Sequence, residues 1–389
     1  MRENTAPIDF WKVSQDHGLV DQNIRKITEI TGITEKNSGL GSVWSVVGSN
    51  GGSIEGSISA HAAVWRLRMR KRITIVMLTF GVLWFTRSPS AQRPATPASA
   101  SLVGTWTLAS VDQHIATPSE TTRVPNPRGL LVYDAAGHVY EVATHAGRAP
   151  YAANQPTPAE AHVTFDSYGG FWGGYRVDGS QVVYRPEGAL NPSLMGRDLT
   201  RAFELKDDRL TITSLANEPN AHGGTRWTWE RVPPVENLSP TYRKVVGFWQ
   251  HVVESRVNLT SGAVISESRR APSIIAYTPS GFVGVHFLPA NPRKPFAAAE
   301  PTDDEARAAI TGWVSYYGAL TVYPGMVFHH RLAQLGPQQG DTLKRFAEVV
   351  GSEIHLKFPP TMNRGQESTT LVTLKRLSGE AEMLGSGGK

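Results

Sequence analysis

The chain has 389 residues, which is enough for two or three domains of ordinary size. It contains no cysteine, so disulfide bonds, thiolate metal sites and cysteine nucleophiles are excluded. The net charge is only +5, and part of the excess lies in a basic cluster at residues 66–72. This small net positive charge gives little support for binding to nucleic acid.

Residues 1–65 are polar and rich in glycine and serine, with one weakly helical stretch near residues 21–33. Because they lack the apolar content of a core, we expect a poorly structured extension with few contacts to the rest of the chain. A start site set too far upstream would also account for this segment, since Met69 is a natural start for the segment that follows.

Residues 66–91 have the pattern of a secretory signal peptide, in which basic residues precede an apolar run at 73–85 and small residues follow. The run is shorter than the roughly 20 residues of a membrane-spanning helix. We therefore expect cleavage before Gln92 and export to the periplasm or out of the cell. The alternative is a membrane anchor formed by 73–85. Residues 92–101 are a linker rich in proline, alanine and serine.

The remaining sequence carries one pattern twice. Trp106 recurs as Trp249 and Arg231 recurs as Arg376, that is, 143 and 145 residues later. A near-constant offset of this size indicates duplication of a whole domain, because solenoid repeats have periods of roughly 20–50 residues. The protein is thus expected to contain two copies of one unit.

Each copy consists of short alternating or apolar runs separated by turns, which predicts β-strands. One helix is predicted over 157–168, because Thr157 and Glu160 form a capping-box pattern, and Thr302 and Glu305 repeat that pattern in the second copy. About eight antiparallel strands with one helix favour a closed meander barrel. The strands predicted in the first copy are 104–111, 129–133, 139–144, 170–177, 181–186, 199–206, 209–214 and 226–232.

The ordered set of motifs resembles the lipocalin-like domain family. The motifs are a Gly-x-Trp strand at 104–106 and 247–249, a Pro-x-Gly-x-Leu-x-Tyr strand at 127–133, an aromatic segment at 168–175, a Phe-His-His strand at 328–330, an Arg-Phe pair at 345–346 and a Trp-Glu-Arg ending at 229–231. The resemblance implies an all-β fold of two tandem lipocalin-like antiparallel β-barrels of the calycin type. Each barrel has one short helix, and both follow the N-terminal extension and the signal peptide. A fold of this kind does not fix an activity.

On this basis the first barrel is predicted to span residues 102–232 and the second residues 245–378. A linker at 233–244 joins them, and residues 379–389 form a disordered tail. The copies differ at the histidine pair of the family pattern. His329 and His330 of the second copy are replaced by Tyr184 and Arg185 in the first.

At the base of each barrel we expect a cation–π contact between the Gly-x-Trp tryptophan and the arginine of the last strand, that is, Trp106 with Arg231 and Trp249 with Arg376. This contact is structural. It closes the barrel floor whether or not the barrel binds a ligand.

His329 and His330 are neighbours on a strand, so their side chains point to opposite faces and cannot chelate one metal together. One of them faces inward, as an acid, a base, a hydrogen-bond donor to a ligand, or simply a wall residue. No catalytic residue is assigned, and these two are the candidates. Because an ordinary histidine titrates near pH 6.5, binding by the second barrel is expected to change between about pH 5 and 8.

Arg201 and its counterpart Arg345 are candidates to bind a ligand carboxylate, with Glu187 or Glu204 near Arg201. No metal site or cofactor is expected, since the other histidines are scattered without zinc-binding spacing. The full set of predicted ligand contacts is Tyr133, Phe171, Trp172, Tyr184, Arg185, Arg201, Tyr277, Trp313, Tyr316, Tyr317, His329, His330 and Arg345.

These features favour an exported protein that binds a small apolar or amphipathic molecule in one or both barrels. After signal cleavage no membrane span is expected, and the oligomeric state is left open. One alternative is an enzyme, such as an isomerase, cyclase or hydrolase, that uses a histidine of the second barrel. Another is a structural or interaction module with filled barrels. The size and polarity of the barrel cavities distinguish these functions.

Overall fold

The computed structural model describes residues 33–38, 41–47, 53–55, 101–214, 224–269, 272–337, 340–363 and 365–385. The predicted signal peptide, nearly all of the linker that follows it, and most of the weakly helical stretch lie outside these residues. The chain divides into two compact units, residues 1–87 and 88–389, which are treated separately below.

In the first unit, three antiparallel strands form a sheet in the order β1-β2-β3. They are β1 (Ile33–Ser38), β2 (Gly41–Val47) and β3 (Ser53–Glu55). These strands lie within residues 1–65, where we expected little regular structure. The extent of that segment as a separate domain stays a prediction.

The first barrel is a closed antiparallel meander of eight strands, β4 and β6 to β12, in which β12 pairs with β4 to complete the ring. The short strand β5 pairs only with the far end of β4. The strands are β4 (Gly104–Gln113), β5 (Thr122–Arg123), β6 (Pro127–Tyr133), β7 (His138–His145), β8 (Tyr168–Asp178), β9 (Gln181–Ala189), β10 (Leu199–Lys206), β11 (Arg209–Thr213) and β12 (Thr225–Val232).

The second barrel repeats this topology and is closed by the pairing of β13 with β22. Strands β14 and β21 extend the sheet at the edges beyond the ring of eight. The strands are β13 (Gly247–Asn258), β14 (Val264–Ser268), β15 (Ile274–Tyr277), β16 (Phe282–Phe287), β17 (Val314–Tyr323), β18 (Met326–Gln334), β19 (Thr342–Val350), β20 (Glu353–Lys357), β21 (Thr361–Asn363) and β22 (Gln366–Arg376). The predicted fold, two tandem closed barrels, is confirmed.

Both predicted helices are present, at α1 (Pro158–Asp166) and α3 (Asp303–Ile310), and both begin with the expected capping box. Two further helices are α2 (Pro240–Val245) and α4 (Glu380–Met383). The start of the predicted disordered tail is therefore helical, and Met383 is buried in the core because it packs against the second barrel. None of the helices in the described part of the chain is long and apolar enough to span a membrane.

The two barrel floors are built alike. The guanidinium carbon of Arg231 lies 4.0 Å from the centre of the Trp106 ring, and that of Arg376 lies 4.0 Å from the centre of the Trp249 ring. Each indole nitrogen donates to a backbone carbonyl four residues earlier, at 3.0 and 2.7 Å. The expected cation–π closure of both floors is confirmed.

The two barrels share one hydrophobic core. The outer faces of β6, β7 and β8 pack against the outer faces of β13, β15, β16 and β17, and α1 contacts α3. At the centre, Tyr140 donates a hydrogen bond to the backbone oxygen of Tyr316 at 2.9 Å and accepts one from the backbone nitrogen of Val285 at 3.1 Å. The side chain of one barrel therefore completes the backbone hydrogen bonding of the other.

His286 is the second polar side chain in this shared core. Its Nε2 donates to the backbone oxygen of Glu141 at 3.0 Å, and its Nδ1 accepts from the Ser315 hydroxyl at 2.9 Å. The Ser315 oxygen in turn accepts from the Tyr168 hydroxyl at 2.6 Å. Burial lowers the pKa of His286 to about 3, so the imidazole is neutral and both of its nitrogens are paired.

Close packing at the interface depends on two glycines. A Cβ atom at Gly284 would lie 2.5 Å from the Tyr140 ring, and one at Gly170 would lie 2.7 Å from the His286 ring. Tyr140 and Gly284 occupy corresponding positions of the two repeats, 144 residues apart. Where the copies meet at the same position, one supplies a large side chain and the other supplies none.

We expect Gly284→Ala to lower the free energy of unfolding by about 1–3 kcal/mol, because Tyr140 is held by two hydrogen bonds and cannot move away from the added methyl group. Gly169→Ala is the matched control, since its Cβ would lie 3.7 Å from the nearest atom. Urea unfolding of the full chain measures both. Equal stability of the two variants would show that the interface is not tightly packed at this point.

Candidate functional site

Alternation along the strands of the first barrel sends Tyr133, Glu141, Phe171, Tyr184 and Arg201 to the inside. All five are buried. The hydroxyls of Tyr133 and Tyr184 are 2.5 Å apart and form a hydrogen bond in the middle of the barrel. Burial raises the pKa of Tyr133 well above its ordinary value, so this hydroxyl stays protonated at neutral pH.

The interior of the first barrel also holds a buried ion pair. The Nη1 atom of Arg201 is 3.5 Å from Oε2 of Glu141, and the two side chains are 6% and 7% exposed. The guanidinium also lies over three rings, at 4.6 Å from Trp227, 5.5 Å from Tyr184 and 5.8 Å from Phe171. Because burial removes water from both charges, the pair is stable only while both partners are present.

A cavity of about 150 Å³ opens at the mouth of the first barrel, and the ion pair forms part of its wall. This volume is close to that of a cavity that holds a benzene-sized molecule, and it is below the roughly 300–1,000 Å³ of sites for drug-sized ligands. The apolar part of the wall comes from Val111, Val124, Ala143, Phe165, Phe171, Leu190, Leu194 and Trp227, and the polar part includes Thr144, Asn191 and Thr225.

The corresponding centre of the second barrel holds a histidine between two tyrosines. The Tyr277 hydroxyl lies 3.0 Å from Nε2 of His329, and the Tyr316 hydroxyl lies 2.8 Å from Nδ1. His329 is 1% exposed. Burial, together with the nearby positive charge of Arg345, lowers the pKa of His329 to about 3.

These contacts make His329 a poor acid–base catalyst near neutral pH. A general base works best when its pKa is close to the operating pH, and both nitrogens of this ring are already hydrogen-bonded. The expectation that an inward histidine would titrate between about pH 5 and 8 is therefore wrong for His329. His330 faces outward, where its ring nitrogens are each 3.0 Å from the hydroxyls of Thr321 and Thr342.

Arg345 lies on the inner face of β19, since it pairs across the sheet with Val327, which is fully buried. Its guanidinium stacks on the Phe358 ring at 3.6 Å, and Nη1 donates to the backbone oxygen of Lys344 at 2.7 Å. Arg345 occupies in the second barrel the position that Arg201 occupies in the first. At the position of Glu141, however, the second barrel has Val285.

The structure brings together eight of the predicted contacts and leaves five outside the barrels. Tyr133, Phe171, Tyr184 and Arg201 face into the first barrel, and Tyr277, Tyr316, His329 and Arg345 face into the second. Trp172, Arg185, Trp313, Tyr317 and His330 do not, because each points away from the barrel interior, the first four lying in the shared core or on the surface.

Sequence reasoning missed Glu141 and named the wrong acid for Arg201. The described ion-pair partner is Glu141 on β7, not Glu187 or Glu204. The available signal was a single acidic residue within the apolar strand 138–145, at a position where the second copy has Val285. Within the part of the chain that the structure describes, no group of three or more His, Asp or Glu side chains could hold a metal ion.

The comparisons with known proteins agree with this architecture. Residues 103–232, the first barrel, match the model of the family described as the lipocalin-like domain. The second barrel repeats the same closed eight-stranded ring. The protein is a tandem lipocalin-like protein whose first barrel belongs to the lipocalin-like domain family.

Two solved structures are similar to the chain over most of its length. One is a protein of unknown function of the DUF3598 family from Nostoc punctiforme, 8% identical, covering 71% of this chain and 96% of that one with a TM-score of 0.20. The other is a candidate outer membrane protein from Bacteroides fragilis, 12% identical, covering 72% of this chain and 100% of that one with a TM-score of 0.19. Neither carries an argument about function. No curated protein matches the chain.

The two buried histidines make stability depend on pH. The pKa of His286 and that of His329 are about 3 in the folded protein and about 6.5 when unfolded, so the unfolded state binds more protons between these values. We expect the free energy of unfolding to fall as the pH drops below about 6.5, by at most about 1.4 kcal/mol per pH unit for each histidine.

Urea unfolding between about pH 7 and pH 5 tests this dependence. His329→Gln should make the pH dependence shallower, because the contribution of His329 is lost while that of His286 remains. An identical pH dependence in the original protein and in His329→Gln would contradict the assignment.

Proposed function

We propose that the protein is an exported binding protein whose first barrel holds a small, largely apolar molecule at its mouth. The observation that carries this proposal is the cavity of about 150 Å³ whose wall combines apolar side chains with the Arg201–Glu141 pair. Aromatic and aliphatic side chains contribute to the wall in the same number as polar ones, so the cavity can bind the apolar part of a ligand and orient its polar group.

The ion pair favours a ligand without net charge. Arg201 offers hydrogen-bond donors and Glu141 offers acceptors, so a hydroxyl or carbonyl group can bind at the pair without separating it. An ion would have to replace one partner, which would leave the other charge buried and uncompensated. A ring or short chain with one neutral polar group therefore suits both the volume and the chemistry of the site.

The two alternative functions have less support. An enzyme that uses the histidine of the second barrel would need a group that titrates near neutral pH, and His329 is neutral and enclosed by Tyr277 and Tyr316. A module with filled barrels conflicts with the open cavity of the first barrel.

Benzyl alcohol is a suitable probe for the site, because it combines one ring with one hydroxyl. We expect Ala143→Phe to weaken its binding by about ten-fold or more, since the new ring would occupy space that the ligand needs. The second barrel already has Phe287 at this position. Val163→Phe, on the exposed face of α1, is the matched control and should bind like the original protein. Titration calorimetry measures all three.

Equal affinity in all three proteins would place the ligand outside this cavity and refute the proposal. Native mass spectrometry of the purified protein then identifies the natural ligand as a bound mass that is absent from Ala143→Phe.

Export has a separate test. We expect the protein recovered outside the cytoplasm of a Gram-negative host to begin at Gln92, because the signal pattern of residues 66–91 ends there. N-terminal sequencing checks this expectation, and expression from Met69 should give the same mature chain. A protein that stays in the cytoplasm with residues 66–91 attached would contradict export.

A further inference from the structure

We propose that the second barrel contains a site for a small carboxylate, centred on the guanidinium of Arg345. This site is separate from the cavity of the first barrel and differs from it in charge preference. The proposal rests on what surrounds Arg345 and on what the second copy lacks at the position of Glu141.

Arg345 is an inward cation that the barrel wall does not neutralise. In the first barrel, Glu141 pairs across the sheet with Phe171 and forms the ion pair with Arg201. In the second barrel, Val285 pairs with Tyr316 at the same place. No ion pair of Arg345 is present among the described residues, and its described hydrogen bond goes to the backbone oxygen of Lys344.

The titratable groups that face Arg345 do not neutralise its charge. The hydroxyls of Tyr277 and Tyr316 and the ring of His329 face it from three other strands, and all three are uncharged near neutral pH. Arg331 lies over the Tyr316 ring at 5.8 Å and pairs with Asp341 at the surface.

The one inward carboxylate on β13 does not cancel this charge. Glu254 pairs across the sheet with the buried Val372, so it faces the interior, but it is engaged in an interaction of its own. Burial lowers the pKa of Arg345, and the neighbours that act against this shift, Tyr316 and Tyr277, are themselves uncharged near neutral pH. Arg345 is therefore a cation without an ion-pair partner among the described residues.

Arg345 is also less enclosed than its counterpart in the first barrel. Arg201 is 5% exposed and lies under three rings, whereas Arg345 is only half-buried and stacks on one ring, Phe358. Stacking occupies a face of the guanidinium and leaves N–H groups at its edge. A planar guanidinium edge binds a carboxylate through two parallel hydrogen bonds. The ligand class that fits is a monocarboxylate whose apolar part lies against Phe358 and Leu343.

Binding of 4-fluorobenzoate to the full chain, followed by fluorine NMR, tests this site. We expect Arg345→Gln to weaken binding by about ten-fold or more, because charge-assisted hydrogen bonds are lost. Val285→Glu should have the same effect, since it gives Arg345 the acid that Arg201 already has. Lys344→Gln removes a positive charge from the neighbouring residue on the outer face of the same strand, and it should leave binding unchanged.

Three results would overturn the proposal: no binding by the original protein, unchanged binding by Arg345→Gln, or loss of binding in Ala143→Phe. The last would place the carboxylate in the first barrel. Ala143→Phe also separates the two proposals, because it should abolish binding of benzyl alcohol and spare binding of 4-fluorobenzoate. If Val285→Glu does not fold, Arg345→Gln alone decides the outcome.

Discussion

Strand β7 has no face that is free for solvent, and the positions of both candidate sites follow from this constraint. Alternation sends Glu141 into the first barrel and its neighbour Tyr140 outward, into the core that the two barrels share. The Tyr140 hydroxyl binds the backbone of Val285 and Tyr316, which line the interior of the second barrel opposite Arg345. The strand that carries the acid of one site therefore also fixes the wall of the other. A shift of β7 by one residue would reverse its two faces, so that Glu141 would point into the apolar core between the barrels and Tyr140 into the first barrel.

The two barrels could be predicted from the sequence, because apolar residues alternate as in β-strands and the whole set of motifs recurs after one domain length. The floor contacts were equally accessible, since Trp106 and Arg231 keep their spacing in the second copy. The direction of the aromatic residues was harder to predict. Trp172 and Trp313 were expected to line cavities, but they lie in the core between the barrels. Residue type cannot distinguish a side chain that points into a barrel from one that points into the core between the barrels. Both faces of these strands are apolar, because the second barrel covers their outer face.

The electrostatics of the sites depend on contacts between distant strands, which local sequence does not contain. Glu187 and Glu204 are close to Arg201 in sequence, yet the ion pair forms with Glu141, 60 residues away. His329 likewise owes its low pKa to burial beside Tyr277 and Tyr316, residues contributed by two other strands. Residue type alone suggested a histidine that changes charge near neutral pH. The enclosure that prevents this change exists only once the barrel has closed.

The contact between Tyr140 and Gly284 makes the two barrels complementary to each other, which duplication alone would not do. Two identical copies joined through these strands would place two tyrosines, or two glycines, at one meeting point, and the first would collide while the second would leave a void. In this protein the two barrels are complementary at this point, because one supplies a tyrosine ring and the other supplies the space for it. Neither barrel can pack against a copy of itself through this surface. This holds whichever barrel comes first in the chain. Two genes, each encoding one barrel, could therefore assemble only as a mixed pair.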